Sequence, residues 1–98
     1  MMTGIVISNP GLTKSVALTY AANNIRINAV CLGTTQTSIM DWLKTEMPQI
    51  YDAMVAETPV GRLARPEEVA NAILWLCSDE ASYCNGHALV VDGGFLAQ

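Results

Sequence analysis

The side chains best suited to touching a ligand are gathered in one short run. Gly33 is followed by Thr34, Thr35, Gln36, Thr37 and Ser38, all of which donate and accept hydrogen bonds without readily ionising. Such a run suits contact with a neutral polar group such as an amide, not proton transfer, and connecting segments of this kind commonly carry ligands. On pattern alone, a plain polar turn explains it more simply. His87 lacks the accompanying Cys, His or Asp set that zinc would require, so a structural or solvent-facing role is expected and no metal site is indicated. Glu67 and Glu68 are adjacent and follow a proline, which suits the positive end of a helix better than acid/base work. Cys31, Cys77 and Cys84 are odd in number and form no CxxC pair, so reduced and mostly buried thiols are expected, with neither a disulfide framework nor a metal site.

These residues need elements to hold them. Asn9-Pro10-Gly11 opens a helix, with Asn9 as the cap and Pro10 at the first helical position. Leu12, Val16 and Tyr20, with Ala17 and Ala21 beside them, form its apolar stripe, and the helix is predicted to reach Ala22 before an Asn23-Asn24 stop. From Ile25 to Cys31 the alternation of Ile25, Ile27, Ala29 and Cys31 with Arg26, Asn28 and Val30 predicts an inner strand that ends at Gly33. Between Ile39 and Thr58 two short helices are expected, broken near Pro48, followed by a turn over Thr58-Pro59-Val60-Gly61-Arg62. A strong helix starts at Arg65-Pro66, with Val69, Ala72, Ile73, Leu76 and Cys77 inward and Leu74 and Trp75 off the stripe. After Asn85-Gly86, His87 to Asp92 reads as a short buried strand closed by Gly93-Gly94. The order predicts two parallel neighbouring strands at the end of a doubly wound α/β sheet, with the outer edge of Ile25 to Cys31 left unpaired.

Composition narrows the partners. The chain has 98 residues, 51% hydrophobic and 14% charged, with a formal net charge of −4. That balance offers no basic surface for phosphate, so neither nucleic acid nor an anionic membrane is an expected partner. The longest apolar runs are a few residues, against the roughly 20 of a membrane-spanning helix. The first ten residues have no basic region, and Ile5, Val6 and Ile7 are too few for a secretory core, so a cytoplasmic protein is expected.

Gly11-Leu12-Thr13-Lys14, Ile25-Arg26-Ile27-Asn28-Ala29-Val30-Cys31, Gly61-Arg62-Leu63, Arg65-Pro66-Glu67-Glu68-Val69-Ala70 and Gly86 to Gly94 closely resemble, in order and spacing, the C-terminal portion of the short-chain dehydrogenases/reductases. The resemblance runs from Gly11 to Gln98. It implies a single partial Rossmann-type domain over 1–98, made of the last two strands of a seven-stranded sheet with flanking helices, and a substrate-lid insert over 38–64. Trp42, Met40 and Met47 then either line the substrate cleft or simply pack the lid. Asp92 resembles a structural acceptor in the family's closing turn.

The same resemblance assigns Leu32, Gly33, Thr35 and Thr37 to the cofactor side. Gly33 and Thr37 match the family's pattern, whereas Leu32 departs from its proline; Thr37 resembles the residue that contacts the nicotinamide carboxamide. The parent family uses NAD or NADP to move hydride between nicotinamide and an alcohol or ketone. Its catalytic Tyr and the Lys four residues later fall on Met2 and Val6, neither of which can ionise, so no catalytic residue is assigned. Tyr20, Tyr51 and Tyr83 have no Lys four positions on. The glycine-rich phosphate turn has no counterpart here, so cofactor binding by this chain alone is not expected. Two readings of the start remain open: unrelated residues ahead of the helix, or Gly4 to Ser8 as the family's fifth strand joined directly to it. Two functions compete. One is a fragment of an NAD(P)-dependent oxidoreductase, inactive alone, with a small alcohol or ketone as substrate only in the intact fold. The other is a non-catalytic module that self-associates as a homo-oligomer through retained family surfaces.

Overall fold

The computed structural model describes residues 3–98. Its elements run β1 (Thr3–Ile7), α1 (Pro10–Tyr20), β2 (Ile25–Leu32), α2 (Ser38–Glu46), α3 (Pro48–Ala56), α4 (Pro66–Cys77) and β3 (Ala88–Val91), with single 3₁₀ turns at Ala21–Asn23, Asp79–Ala81 and Phe95–Ala97. Proline opens α1, α3 and α4, where its fixed φ fits the helix and its missing N–H would have had no partner. Asn9 caps α1 by accepting from the Leu12 amide at 3.1 Å. The stop expected at Asn23-Asn24 is present: Asn24 adopts φ 63, the left-handed region that asparagine tolerates.

The sheet is parallel with order β1-β2-β3. The two expected strands are therefore joined by a third, and the edge of Ile25 to Cys31 that the sequence leaves bare is covered. Thr3 pairs with Ile25, Ile5 with Ile27 and Ile7 with Ala29. The physical reason is the Ile5-Val6-Ile7 run, which satisfies the amides of β2 and shields Ile27 while running parallel to it. On the other side of β2, Ala29 pairs with Ala88 and Leu32 with Val91.

The core lies around β2. Ile27, Ala29 and Val30 are buried, joined by Ala17 from α1, Leu76 from α4, Met40, Leu63 and Ala81. The inward face of α1 differs from the predicted stripe. Thr13 and Ala17 are buried while Leu12 and Tyr20 are exposed and Val16 is partly covered, because α1 lies close to β2 and to Gly86, where only short side chains fit. The Thr13 hydroxyl donates to the Asn9 carbonyl at 2.7 Å, which satisfies it within the helix. The thiols are free as expected but not buried: Cys77 is exposed, and Cys31 and Cys84 are half-buried. Cys77 is the last residue of α4, just past the inward Leu76.

Two polar side chains on β2 are fully buried. Arg26 donates through Nη1 to the Leu76 carbonyl at 2.9 Å and the Cys84 carbonyl at 3.3 Å, and through Nη2 to the Ser78 carbonyl at 2.9 Å. Asn28 donates to the Cys84 carbonyl at 3.0 Å and accepts from the His87 amide at 3.0 Å. Substituting Arg26→Met strands the carbonyls that it serves, so a loss of about 2–4 kcal/mol of stability is expected. Urea unfolding followed by circular dichroism checks this, and a loss below about 1 kcal/mol would show that the guanidinium is not a structural tie.

Candidate functional site at the strand ends

Ligands of open α/β sheets sit beyond the carboxyl ends of the strands. Here β2 and β3 end side by side, and the polar run follows immediately. The Gly33 amide donates to the Val91 carbonyl at 2.9 Å, and a Cβ added at Gly33 would lie 2.8 Å from the Asp92 Cα. Glycine is required there because no side chain fits between the two chains. The backbone then pairs briefly with the residue after Leu63: Ala64 donates to the Thr34 carbonyl at 3.0 Å, and Gln36 donates to the Ala64 carbonyl at 2.8 Å. Gln36 also ties the turn to the helices beyond it, donating to Asp41 of α2 and accepting from the Tyr51 hydroxyl of α3.

A cavity of about 350 Å³ opens at this point, lined by Leu32, Gly33, Thr34, Met54, Glu57, Thr58, Asp92 and Phe95. A second, of about 190 Å³, shares Gly33, Thr34, Thr58 and Asp92 with it. Of the four residues that the sequence assigns to a cofactor, Leu32 and Gly33 line the first cavity. Thr35 sits in the short bridge with Ala64, its hydroxyl 3.4 Å from the Gly33 carbonyl. Thr37 is the N-cap of α2; its side chain makes no capping bond, and its carbonyl accepts from the Asp41 amide at 2.9 Å. It is exposed and stands outside the cavity lining.

Thr34, Thr58 and Asp92 line both cavities; the sequence places Thr34 in the polar ligand-carrying run but does not mark Thr58 or Asp92 as ligand contacts. Thr34 lies two residues after Leu32, where strand alternation carried past the end of β2 also puts it. Thr58 could not have been found by periodicity, since it arrives through a turn contact: a Cβ at Gly93 would meet Val60 and Thr58 at 2.7 and 2.8 Å. Asp92 holds the closing turn, accepting from the Gly94 amide at 3.0 Å and the Leu96 amide at 2.9 Å. Both of its oxygens have backbone donors, which leaves it poorly placed to move protons.

The family model described as enoyl-(acyl carrier protein) reductase matches residues 7–96. The chain belongs to the short-chain dehydrogenase/reductase family. It is 50% identical over 86 residues to the cis-4-hydroxycyclohexanecarboxylate dehydrogenase of Sinomonas cyclohexanicum, a match that covers 88% of this chain and 33% of that protein. It is 45% identical over 86 residues to the A-factor type gamma-butyrolactone 1'-reductase (1S-forming) of Streptomyces virginiae, covering 87% of this chain and 33% of that one. The solved TT0495 protein from Thermus thermophilus aligns with a TM-score of 0.80 at 44% identity, over 91% of this chain and 37% of its own. ElxO, solved with NADP bound, aligns with a TM-score of 0.83 at 31% identity, over 91% of this chain and 36% of its own. The chain thus spans about a third of the length of these relatives, and its partial parallel sheet is part of their Rossmann-type fold.

Val6, the position that the resemblance sets against the family's lysine, lies within β1 and opposite Asn28. The place of the family's tyrosine, Met2, lies outside the described residues. Glu68, which lines the second cavity, is held by structural contacts. Glu68 accepts from Arg62 Nη1 at 2.7 Å and Nη2 at 3.0 Å, and from the Arg65 amide at 2.9 Å, which closes the start of α4. The hydrogen bond from Arg62, followed by that from the Arg65 backbone, lowers the Glu68 carboxyl from 4.5 to about 2. A carboxyl held lower in the folded chain than in the unfolded one contributes stability above its unfolded value, and that contribution fades as pH falls through the folded value. The wild-type melting temperature is therefore expected to fall between pH 4.5 and about 2, and Glu68→Gln to flatten that limb. Scanning calorimetry across this range checks it; identical profiles would remove Glu68 from the account.

Proposed function

We propose that this chain is the nicotinamide-side segment of an NAD(P)-dependent oxidoreductase whose parent reaction moves hydride between the nicotinamide and an alcohol or ketone, and that the 98-residue polypeptide does not turn over alone. The observation that carries the reading is the cavity at the ends of β2 and β3, walled by the Gly33 turn on one side and by residues of 38–64 on the other. A flat amide-bearing ring fits such a site. Gly33 offers backbone with no Cβ, and the Thr37 hydroxyl, which makes no capping bond, is available to meet a carboxamide. Leu32 and Thr35 would border the same turn. When bound, the nicotinamide supplies the hydride acceptor or donor.

Residues 38–64 serve in this reading as the substrate lid. Helices α2 and α3 extend away from the sheet, their return turn rests on Gly93 and Gly94, and Met54 and Thr58 face the cavity where an alcohol or ketone would lie. Catalysis by the chain alone is disfavoured because a general acid contributes about 10²–10⁴-fold and neither reading of the chain's start supplies the family's Tyr/Lys pair. The NADP held by ElxO supports a nicotinamide dinucleotide as the parent's cofactor.

The test uses the 98-residue chain with nicotinamide mononucleotide as the probe. Amide shifts are expected at Gly33, Thr34 and Thr37 at millimolar probe, weakened at least about threefold by Gly33→Val, with no oxidation of secondary alcohols in the presence of NAD or NADP. Shifts scattered away from the strand ends, or steady turnover, would refute the reading.

A second reading is favoured by the surface. Leu18 and Leu74 are 78% and 66% exposed, and both outer strands have an open edge among the described residues. In that reading the chain acts as a non-catalytic module that self-associates.

A further inference from the structure

We infer that Gln36 is the positioning residue of the nicotinamide site: bonded to both helices of the insert, it fixes the backbone at Thr37 while leaving the threonine hydroxyl free for a ligand. The inference rests on the nicotinamide reading and names the residue that prepares its threonine contact.

Gln36 is anchored at three points. Its backbone amide donates to the Ala64 carbonyl at 2.8 Å, beside the short bridge that joins Thr35 to Ala64. Its side-chain nitrogen donates to the Asp41 carboxylate in the first turn of α2, and its side-chain oxygen accepts from the Tyr51 hydroxyl of α3 at 3.0 Å. A primary amide carries donors and an acceptor on one planar group, so it serves a carboxylate and a phenol at once. Glutamate there would face Asp41 with like charge, and leucine would serve neither partner. The Lys44 ammonium stands 5.6 Å from the centroid of the Tyr51 ring. The last turn of α2 thus closes on the same tyrosine that its first turn reaches through Gln36.

These anchors bracket Thr37. It has the extended backbone of a helix cap, φ −135 and ψ 173, and its carbonyl accepts from the Asp41 amide at 2.9 Å. A threonine so placed ordinarily spends its hydroxyl on an amide of the first turn. Here it makes no such bond. Gln36 and Asp41 carry the polar tie across the start of α2 instead. The chain is held on both sides of Thr37, and none of these bonds uses its hydroxyl. Holding a contact residue in place beforehand removes part of the ordering cost of binding. Because one amide is bonded to α2 and to α3, a ligand at Thr37 is also coupled to both helices, and such coupling is reciprocal.

The experiment titrates nicotinamide mononucleotide into the full 98-residue chain and reads amide shifts. Gln36→Leu should raise the dissociation constant at least about threefold, within the range set by one neutral hydrogen bond, and Thr37→Val should do the same. Since Gln36 acts through Thr37, adding Gln36→Leu to Thr37→Val should cost less than about 1.5-fold more. Asp41→Asn keeps an acceptor for Gln36 and should bind within about twofold of wild type, whereas Asp41→Ala should weaken binding as Gln36→Leu does. In the wild type the probe should also shift the Asp41 and Tyr51 amides, and in Gln36→Leu it should not. Circular dichroism establishes that each variant is folded, and the Asp41 pair decides if Gln36→Leu is not. A wild type without shifts at Gly33, Thr34 and Thr37 would overturn both the nicotinamide reading and the inference. Wild-type binding at those residues that Gln36→Leu leaves unchanged, or weakens equally with and without the Thr37 hydroxyl, would overturn the inference alone. Equal binding by Asp41→Ala and Asp41→Asn would do the same.

Discussion

The structure depends on one buried guanidinium that, among the described residues, forms no ion pair and is held by backbone carbonyls instead. Arg26 is completely buried in the central strand and is satisfied by carbonyls at and beyond the end of α4. A helix C-terminus carries partial negative charge and unpaired carbonyls, so a buried cation there meets both needs at once. The fit is not complete, since Arg26 Nε has no partner among the described residues. It also demands space from the neighbouring strand. A Cβ at Gly4 would lie 2.6 Å from Arg26 Nη2 and 2.8 Å from the Cys77 backbone, so β1 can lie alongside β2 only with glycine opposite the arginine. One side chain thereby sets the height of α4 over the sheet and the residue that β1 must present.

Its neighbour on the same face extends the constraint to the site. Asn28 holds the Cys84 carbonyl and the His87 amide, while the Asn85 side chain accepts from the Ile27 amide at 3.0 Å. These bonds fix where the chain enters β3, and with it the register that sets Leu32 beside Val91. That register in turn brings Gly33 against Asp92 and places Gly93 under Thr58 and Val60. The cavity at the strand ends is thus a consequence of polar ties at the opposite end of the same strands. Sliding β3 by two residues would keep its apolar face inward but would bring a different residue against Gly33.

How much of this is legible in the sequence follows from which interactions are local. Helix starts at Pro10, Pro48 and Pro66, the left-handed stop near Asn24 and the alternation of β2 depend on neighbours in sequence, and each stands where the residues put it. Period two also marks Arg26 and Asn28 as one face of a strand. It cannot say that this face is buried, because their partners lie 50 to 59 residues away. The stripe on α1 departs from its pattern for a related reason: hydrophobicity favours Leu12 and Tyr20, whereas close approach to β2 selects Thr13 and Ala17 by size. At the site, Leu32 and Gly33 are legible from the strand end. Thr58 and Phe95 are not, since they reach the cavity only through the contact between the insert and the closing turn.

The position of β1 bears on the two readings of the chain's start. Gly4 to Ser8 would be arbitrary if the residues ahead of α1 were unrelated to the fold. Instead they supply a strand parallel to β2, in register over five residues, with glycine at the one place where Arg26 permits nothing larger. Both features follow if this segment stands in the family's fifth-strand place and passes directly to α1 through Ser8 and Asn9. Such a join would remove the stretch between strand and helix that carries the family's proton-transferring pair, while leaving untouched the bonds of Arg26, Asn28 and Asn85 that organise the sheet. Folding and proton transfer rest on different residues in this architecture, so losing the second need not unmake the first.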